Sequence, residues 1–172
     1  MSSVLSSFSY YYTRIKSKIY KVDQVYGPFG VLKTGPIFDF NGHGSHITSM
    51  KIYHGALVEA IEVTFTNRDY SFTEKTGGNK CPNIREILLR DNEHITEVGG
   101  VYGKWNGNNG ILRITFITNQ GREFGPYGYT DGVVVTEEGY FQRNGGKLVG
   151  IFGTTSSIFH GMTSIGFYFQ PE

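Results

Sequence analysis

Apolar and polar residues alternate along most of this chain with a period of two, the pattern of strands with one face buried. Three stretches carry it most clearly. Ile61-Glu62-Val63-Thr64-Phe65, Leu112-Arg113-Ile114-Thr115-Phe116 and Ile165-Gly166-Phe167-Tyr168-Phe169 begin at positions 61, 112 and 165, a spacing of about fifty residues. Upstream, Ile47-Thr48 leads to Gly55 and Ile95-Thr96 leads to Gly103, while Gly153 follows the run from Leu148 to Phe152. Tyr26-Gly27-Pro28-Phe29-Gly30 and Phe124-Gly125-Pro126-Tyr127-Gly128 share one aromatic-Gly-Pro-aromatic-Gly frame. They lie about two periods apart, and Phe72 to Gly78 takes the place of the middle copy without its proline.

Three copies of a unit with roughly four strands each predict an all-β architecture of about twelve strands, closed around a pseudo-threefold axis with one shared core. Composition agrees. The chain has 24 Gly, only 5 Pro and 15% aromatic residues, which suits short strands and tight turns. Residues 22–172 read as one domain, and residues 1–21 fall outside the period as a basic and aromatic arm. There Arg14, Lys16 and Lys18 alternate with Ile15, Ser17 and Ile19, after Tyr10, Tyr11 and Tyr12. A charged edge strand that blocks edge-to-edge pairing is the preferred reading of the arm over an anion-binding one.

The formal net charge of +1 gives no reason to expect a nucleic-acid partner. Cys81 is the only cysteine, so no intrachain disulfide can form, as suits a reducing compartment. Met1 to Lys18 lacks the apolar stretch of a secretory signal, and no run reaches membrane-spanning length, so a cytoplasmic location is expected, secretion of a processed form being left open. His43 and His46 are the only histidines close together, and no Cys or acid follows at ligand spacing, so neither metal nor other cofactor is expected. Cys81 sits beside Gly77-Gly78 with nothing near it in sequence to activate it, and reads as a bystander. Asp39, Glu59, Glu62 and Glu97 form no hydrolytic motif, and the Gly-rich stretches lack the features of a phosphate loop. A binding module is expected, not an enzyme.

Several segments together resemble the jacalin-related lectins, in particular their mannose-binding members. They are Val25 to Phe40, Ile52 to Phe65, Arg122 to Gly128 and Gly145 to Gly153, and the likeness spans roughly residues 22 to 170. The resemblance implies a β-prism of three four-stranded Greek-key sheets, with sugar sites at one end where a Gly-Gly loop meets a Gly-x-x-x-Asp loop. Such a pair suits a hexose, because bare backbone N–H groups donate to hydroxyl oxygens while a carboxylate accepts two hydroxyl protons.

By that resemblance the first repeat holds the best site. Gly55-Ala56-Leu57-Val58-Glu59 has the family spacing, with Gly77-Gly78 as the companion loop. Ala56 and Leu57 N–H groups are expected on the ring-side oxygens, Glu59 on a hydroxyl pair, and Gly78 on a further hydroxyl. Glu59 stands where the family has Asp, and its extra methylene moves the carboxylate outward by about 1.5 Å. The second possible sugar site is altered: Gly30 is followed by Val31, Thr163 stands at the acidic position, and a longer Gly153–Met162 loop offers Ser156, Ser157, Phe159 and His160. In the middle repeat, Gly103 to Gly110 holds Trp105, either stacked on a sugar or packed down beside a long hairpin turn, the latter preferred. Two functions follow. One is a lectin for mannose- or glucose-type glycans on glycoproteins, working as a homo-oligomer because single hexose sites are weak. The alternative is a prism with degenerate sugar sites that binds protein or an anionic polymer or membrane through Arg14, Lys16, Lys18 and Lys21.

Overall fold

A computed structural model of the chain describes residues 23–32, 35–42, 44–78, 81 and 83–172. The N-terminal arm, with its four basic side chains, and His43 lie outside them. Twelve strands form among the described residues: β1 (Gln24–Gly30), β2 (Ile37–Asn41), β3 (His46–His54), β4 (Val58–Thr66), β5 (Ser71–Lys75), β6 (Asn83–Leu88), β7 (Ile95–Trp105), β8 (Asn108–Thr118), β9 (Glu123–Gly128), β10 (Thr136–Asn144), β11 (Lys147–Thr155) and β12 (Met162–Gln170). No helix of these residues is long and apolar enough to cross a membrane.

The strands build three four-stranded sheets, ordered β5-β4-β3-β6, β10-β7-β8-β9 and β1-β12-β11-β2, with every pairing antiparallel. Each has a central hairpin, β3–β4, β7–β8 or β11–β12, and a late strand that returns beside the first, which is Greek-key order. The period of about fifty residues is therefore one sheet. In the third sheet the repeat is permuted, since β1 and β2 from the start of the chain flank β11 and β12 from its end. The two Gly-Pro pentapeptides occupy β1 and β9, and Phe72 falls on β5, so the three edge strands are equivalent, as the period predicts.

Alternation decides which side chains meet at the axis. Ile61, Val63 and Phe65 of β4, Ile114 and Phe116 of β8, and Ile165, Phe167 and Phe169 of β12 are all fully buried. These three strands touch one another across the axis, so each sheet's inner face covers the other two. Burying such a side chain is worth about 1.5–3 kcal/mol, and no sheet can do this for itself, because its inner face needs a facing layer.

Candidate functional site

Near one end of the prism each central hairpin carries a β-bulge at the same place. Between β3 and β4, Tyr53 pairs with Ala60 and His54 with Val58, leaving Glu59 as the extra residue. The same skip leaves out Leu112 between β7 and β8, and Thr163 between β11 and β12. A bulge turns one side chain away from its normal alternation. The three chemistries differ: Leu112 is fully buried and Thr163 nearly so, whereas Glu59 is half-buried.

A glycine at the end of each edge strand abuts the bulge. Gly77 lies so close to Glu59 that a Cβ would fall 2.1 Å from the Glu59 carbonyl oxygen, and its φ of +73° is one that L side chains rarely adopt. Gly30 stands in the same relation to Thr163, at 2.5 Å, and Gly128 to Leu112, at 1.9 Å. The turn after β5 and the turn after β3 are thus brought together at one end, with Glu59 between them. In the β3–β4 turn, the Gly55 N–H donates to the Leu57 carbonyl at 2.9 Å, and the Leu57 side chain is buried against Gly110 and Gly161 of the neighbouring hairpins. Leu57 therefore contributes only its backbone to the surface.

Two further residues complete this corner. The Cys81 thiol donates to Glu59, and burial, together with the Glu59 charge, pushes its pKa up to about 12. The cysteine is a neutral donor and not a nucleophile. The sequence reading left it a bystander; its contact arises only when the β5–β6 connection folds back over β4. The second is His160, whose carbonyl accepts the Gly78 N–H at 3.1 Å. The Gly78 N–H is thereby engaged inside the protein.

The residues named for a second site separate. Gly30 and Thr163 are adjacent, but the Thr163 hydroxyl donates to the Thr154 carbonyl at 3.1 Å and lies 2.7 Å from the Thr154 hydroxyl. The Val31 N–H donates to the Thr163 carbonyl at 2.9 Å. His160 sits against Gly78, on the first site's side, and the Phe159 ring covers Gly161. The β11–β12 loop is held in that direction by its own turn, in which the Ser156 hydroxyl accepts from the N–H groups of Ile158 and Phe159 at 3.1 and 3.3 Å.

The middle hairpin differs from the long turn expected. β7 and β8 run on to Trp105 and Asn108, joined by Asn106-Gly107 with both residues left-handed, at φ of 48° and 74°. Asn-Gly suits this two-residue turn, whose twist matches the flanking strands. Arg113, next to the Leu112 bulge, lies over the Tyr129 ring at 3.8 Å and donates to the Tyr129 carbonyl at 3.0 Å.

Among the described residues, no group of three or more His, Cys, Asp or Glu side chains is placed to hold a metal ion. The four carboxylates considered for hydrolysis have separate neighbours: Asp39 accepts from Tyr168, Glu62 pairs with Lys51 at 3.3 Å, Glu97 accepts from Gln142, and Glu59 accepts from Cys81.

Three Greek-key sheets around one axis, with glycine-flanked bulges gathered at one end, define a β-prism of the lectin type. The chain belongs to the jacalin-like lectin family, whose domain model matches residues 26–168. It is 30% identical over 114 residues to jacalin-related lectin 24 of Arabidopsis thaliana, covering 62% of this chain and 49% of that one. Against a mannose/glucose-specific lectin of Parkia pendula it is 27% identical over 156 residues, covering 86% of this chain and 31% of the relative. It therefore spans about half the length of the first relative and about a third of the second. Among solved structures, Malaysian banana lectin superposes with a TM-score of 0.71 at 30% identity, covering 87% of this chain and 99% of that one.

Proposed function

We propose that this domain binds a neutral saccharide of the mannose or glucose type at the corner formed by Gly55, Ala56, Leu57, Glu59, Gly77 and Gly78, and performs no chemistry on it. The observation that carries the reading is the bulge at Glu59: of the three equivalent bulged positions, only this one holds an acid, and it stands beside a side-chain-free turn. A carboxylate accepting two hydroxyl protons and the N–H groups of Ala56 and Leu57 donating to ring oxygens complement the vicinal hydroxyls of a hexose. The name of the Parkia relative supports that sugar class.

Glycan arrays and calorimetry with methyl α-mannoside test the reading. Wild-type chain is expected to bind with an affinity near millimolar, about 4 kcal/mol, and Glu59→Ala to abolish the signal. Glu59→Asp, which restores the shorter acid, should bind at least as well as wild type. Glu59→Ala binding like wild type would sink the assignment. A dark array with salt-sensitive retention on heparin would instead favour the basic arm as the working surface.

A further inference from the structure

At the end of the prism opposite the bulges, a cleft of about 820 Å³ opens between the start of β3, the β6–β7 turn and the start of β11. Its lining includes Lys147, Arg90, His46 and His94, and among acids only Asp91 and Glu93. The Glu93 carboxylate is fully buried and already satisfied: it takes the Arg122 guanidinium at 2.7 Å, the Thr118 hydroxyl at 2.7 Å and the Arg90 N–H at 2.8 Å. His94 pairs with Glu172 at 3.0 Å. Lys147 is different. Its side chain is half-buried, no acidic partner meets its ammonium among the described residues, and burial alone lowers its pKa. The Arg90 side chain likewise has no acidic partner among them; Asp91, and Glu172 where His94 is neutral, are the acids near these two cations.

A half-buried ammonium without an anion is costly to keep, and that cost falls when an anion enters and hydrogen-bonds to it. We propose that this cleft binds a small oxyanion, either the carboxylate of an acidic sugar or a free inorganic anion, held by Lys147 and Arg90. The site is separate from the proposed neutral-sugar corner and shares no residue with it. Lys147 at the head of β11 supplies a rigidly based charge, and Arg90 supplies the planar fork that matches an oxyanion in two bonds.

Amide chemical-shift titrations of the full chain decide the matter, with sodium glucuronate, sodium sulfate and methyl glucoside added separately. Saturable shifts at Thr48, Asn92 and Lys147 are expected with glucuronate or sulfate and none with methyl glucoside. Glucuronate acting alone assigns the acidic sugar, and sulfate acting alone assigns the inorganic anion. Lys147→Met and Arg90→Gln should each weaken binding about tenfold, while Asp91→Asn should tighten it. Unchanged amide positions around Gly55 and Gly77 in each variant establish that the fold is retained. Absence of saturable shifts, equal binding by Lys147→Met, or the same shifts with methyl glucoside would overturn the proposal. Glu59→Ala leaves the anion response intact, so failure here and failure of the sugar corner are read independently.

Discussion

His54 shows how one side chain couples the fold to pH. It ends β3, is 8% exposed, and accepts the Gly128 N–H on Nδ1 at 3.2 Å, while Nε2 has no partner among the described residues. Burial pushes its pKa below the ordinary histidine value, and the Arg85 charge acts the same way. The accepted N–H also requires an unprotonated Nδ1, so the native ring is neutral with its proton on Nε2. The unfolded chain takes up a proton near the ordinary value of about 6.5, which the folded chain resists. Stability from this residue is therefore complete above that pH and is lost as pH falls through the lower folded value. Urea midpoints measured at about pH 7.5 and 5.5 should drop more for wild type than for His54→Gln. A variant that loses as much as wild type would show that other groups govern the acid limb.

Glu59, Thr163 and Leu112 mark where residues were legible and where they were not. The Gly-x-x-x-acid spacing finds Glu59 because the β3–β4 turn is short enough to keep glycine and bulge close in sequence. In the other two repeats the hairpins are longer, so Gly103 and Gly153 fall inside β7 and β11 and no fixed spacing leads from them to the bulge. Thr163 stands at the acidic position of the second site, but the burial of its side chain is not legible in sequence, because burial at a bulge follows from tertiary packing and not from alternation. The Cys81–Glu59 and His160–Gly78 contacts join residues far apart in the chain or on different sheets, and no local pattern announces them.

At the level of strands, prediction was easiest where one face is dry. Phe116 of β8 and Phe167 of β12 hold equivalent positions, paired with Phe124 and Tyr26, the first aromatics of the two Gly-Pro pentapeptides, and both are fully buried. Truncation to Ala removes a ring and leaves a cavity that close-packed neighbours cannot fill, at a cost of about 3–5 kcal/mol. The two variants should lie close together in urea denaturation, because the axis relates their surroundings. Tyr140→Ala on β10, where the ring is 86% exposed, should stay within about 0.5 kcal/mol of wild type. A Phe116→Ala variant as stable as Tyr140→Ala would mean that the core does not gather on the axis. Edge strands were less legible, since the alternation of β6 is blurred by exposure of all but one of its residues, Ile87. The β7–β8 turn is shorter than expected, because the glycines and amides from Gly103 to Gly110 read as one loop, although Asn106-Gly107 alone sets the bend.

Across the whole molecule, all three central hairpins turn at one end, yet only one of the three bulges carries an acid. With a single shallow site, a chain acting alone would hold a hexose at about millimolar strength, too weakly to retain a glycan-coated surface. Linked copies raise the effective concentration of the second contact and multiply the retention without any new bond. Cross-linking by this chain therefore requires assembly, and exposed aliphatic residues such as Ile37 and Val134, at 82% and 87% exposure, are available to be covered by another copy. Light scattering at micromolar concentration should report a mass above the 19.3 kDa of one chain, and mannan-coated beads should aggregate in proportion to that species. A strict monomer that binds methyl α-mannoside but leaves the beads dispersed would keep the sugar corner and remove cross-linking from its role, because one hexose contact per particle cannot bridge two.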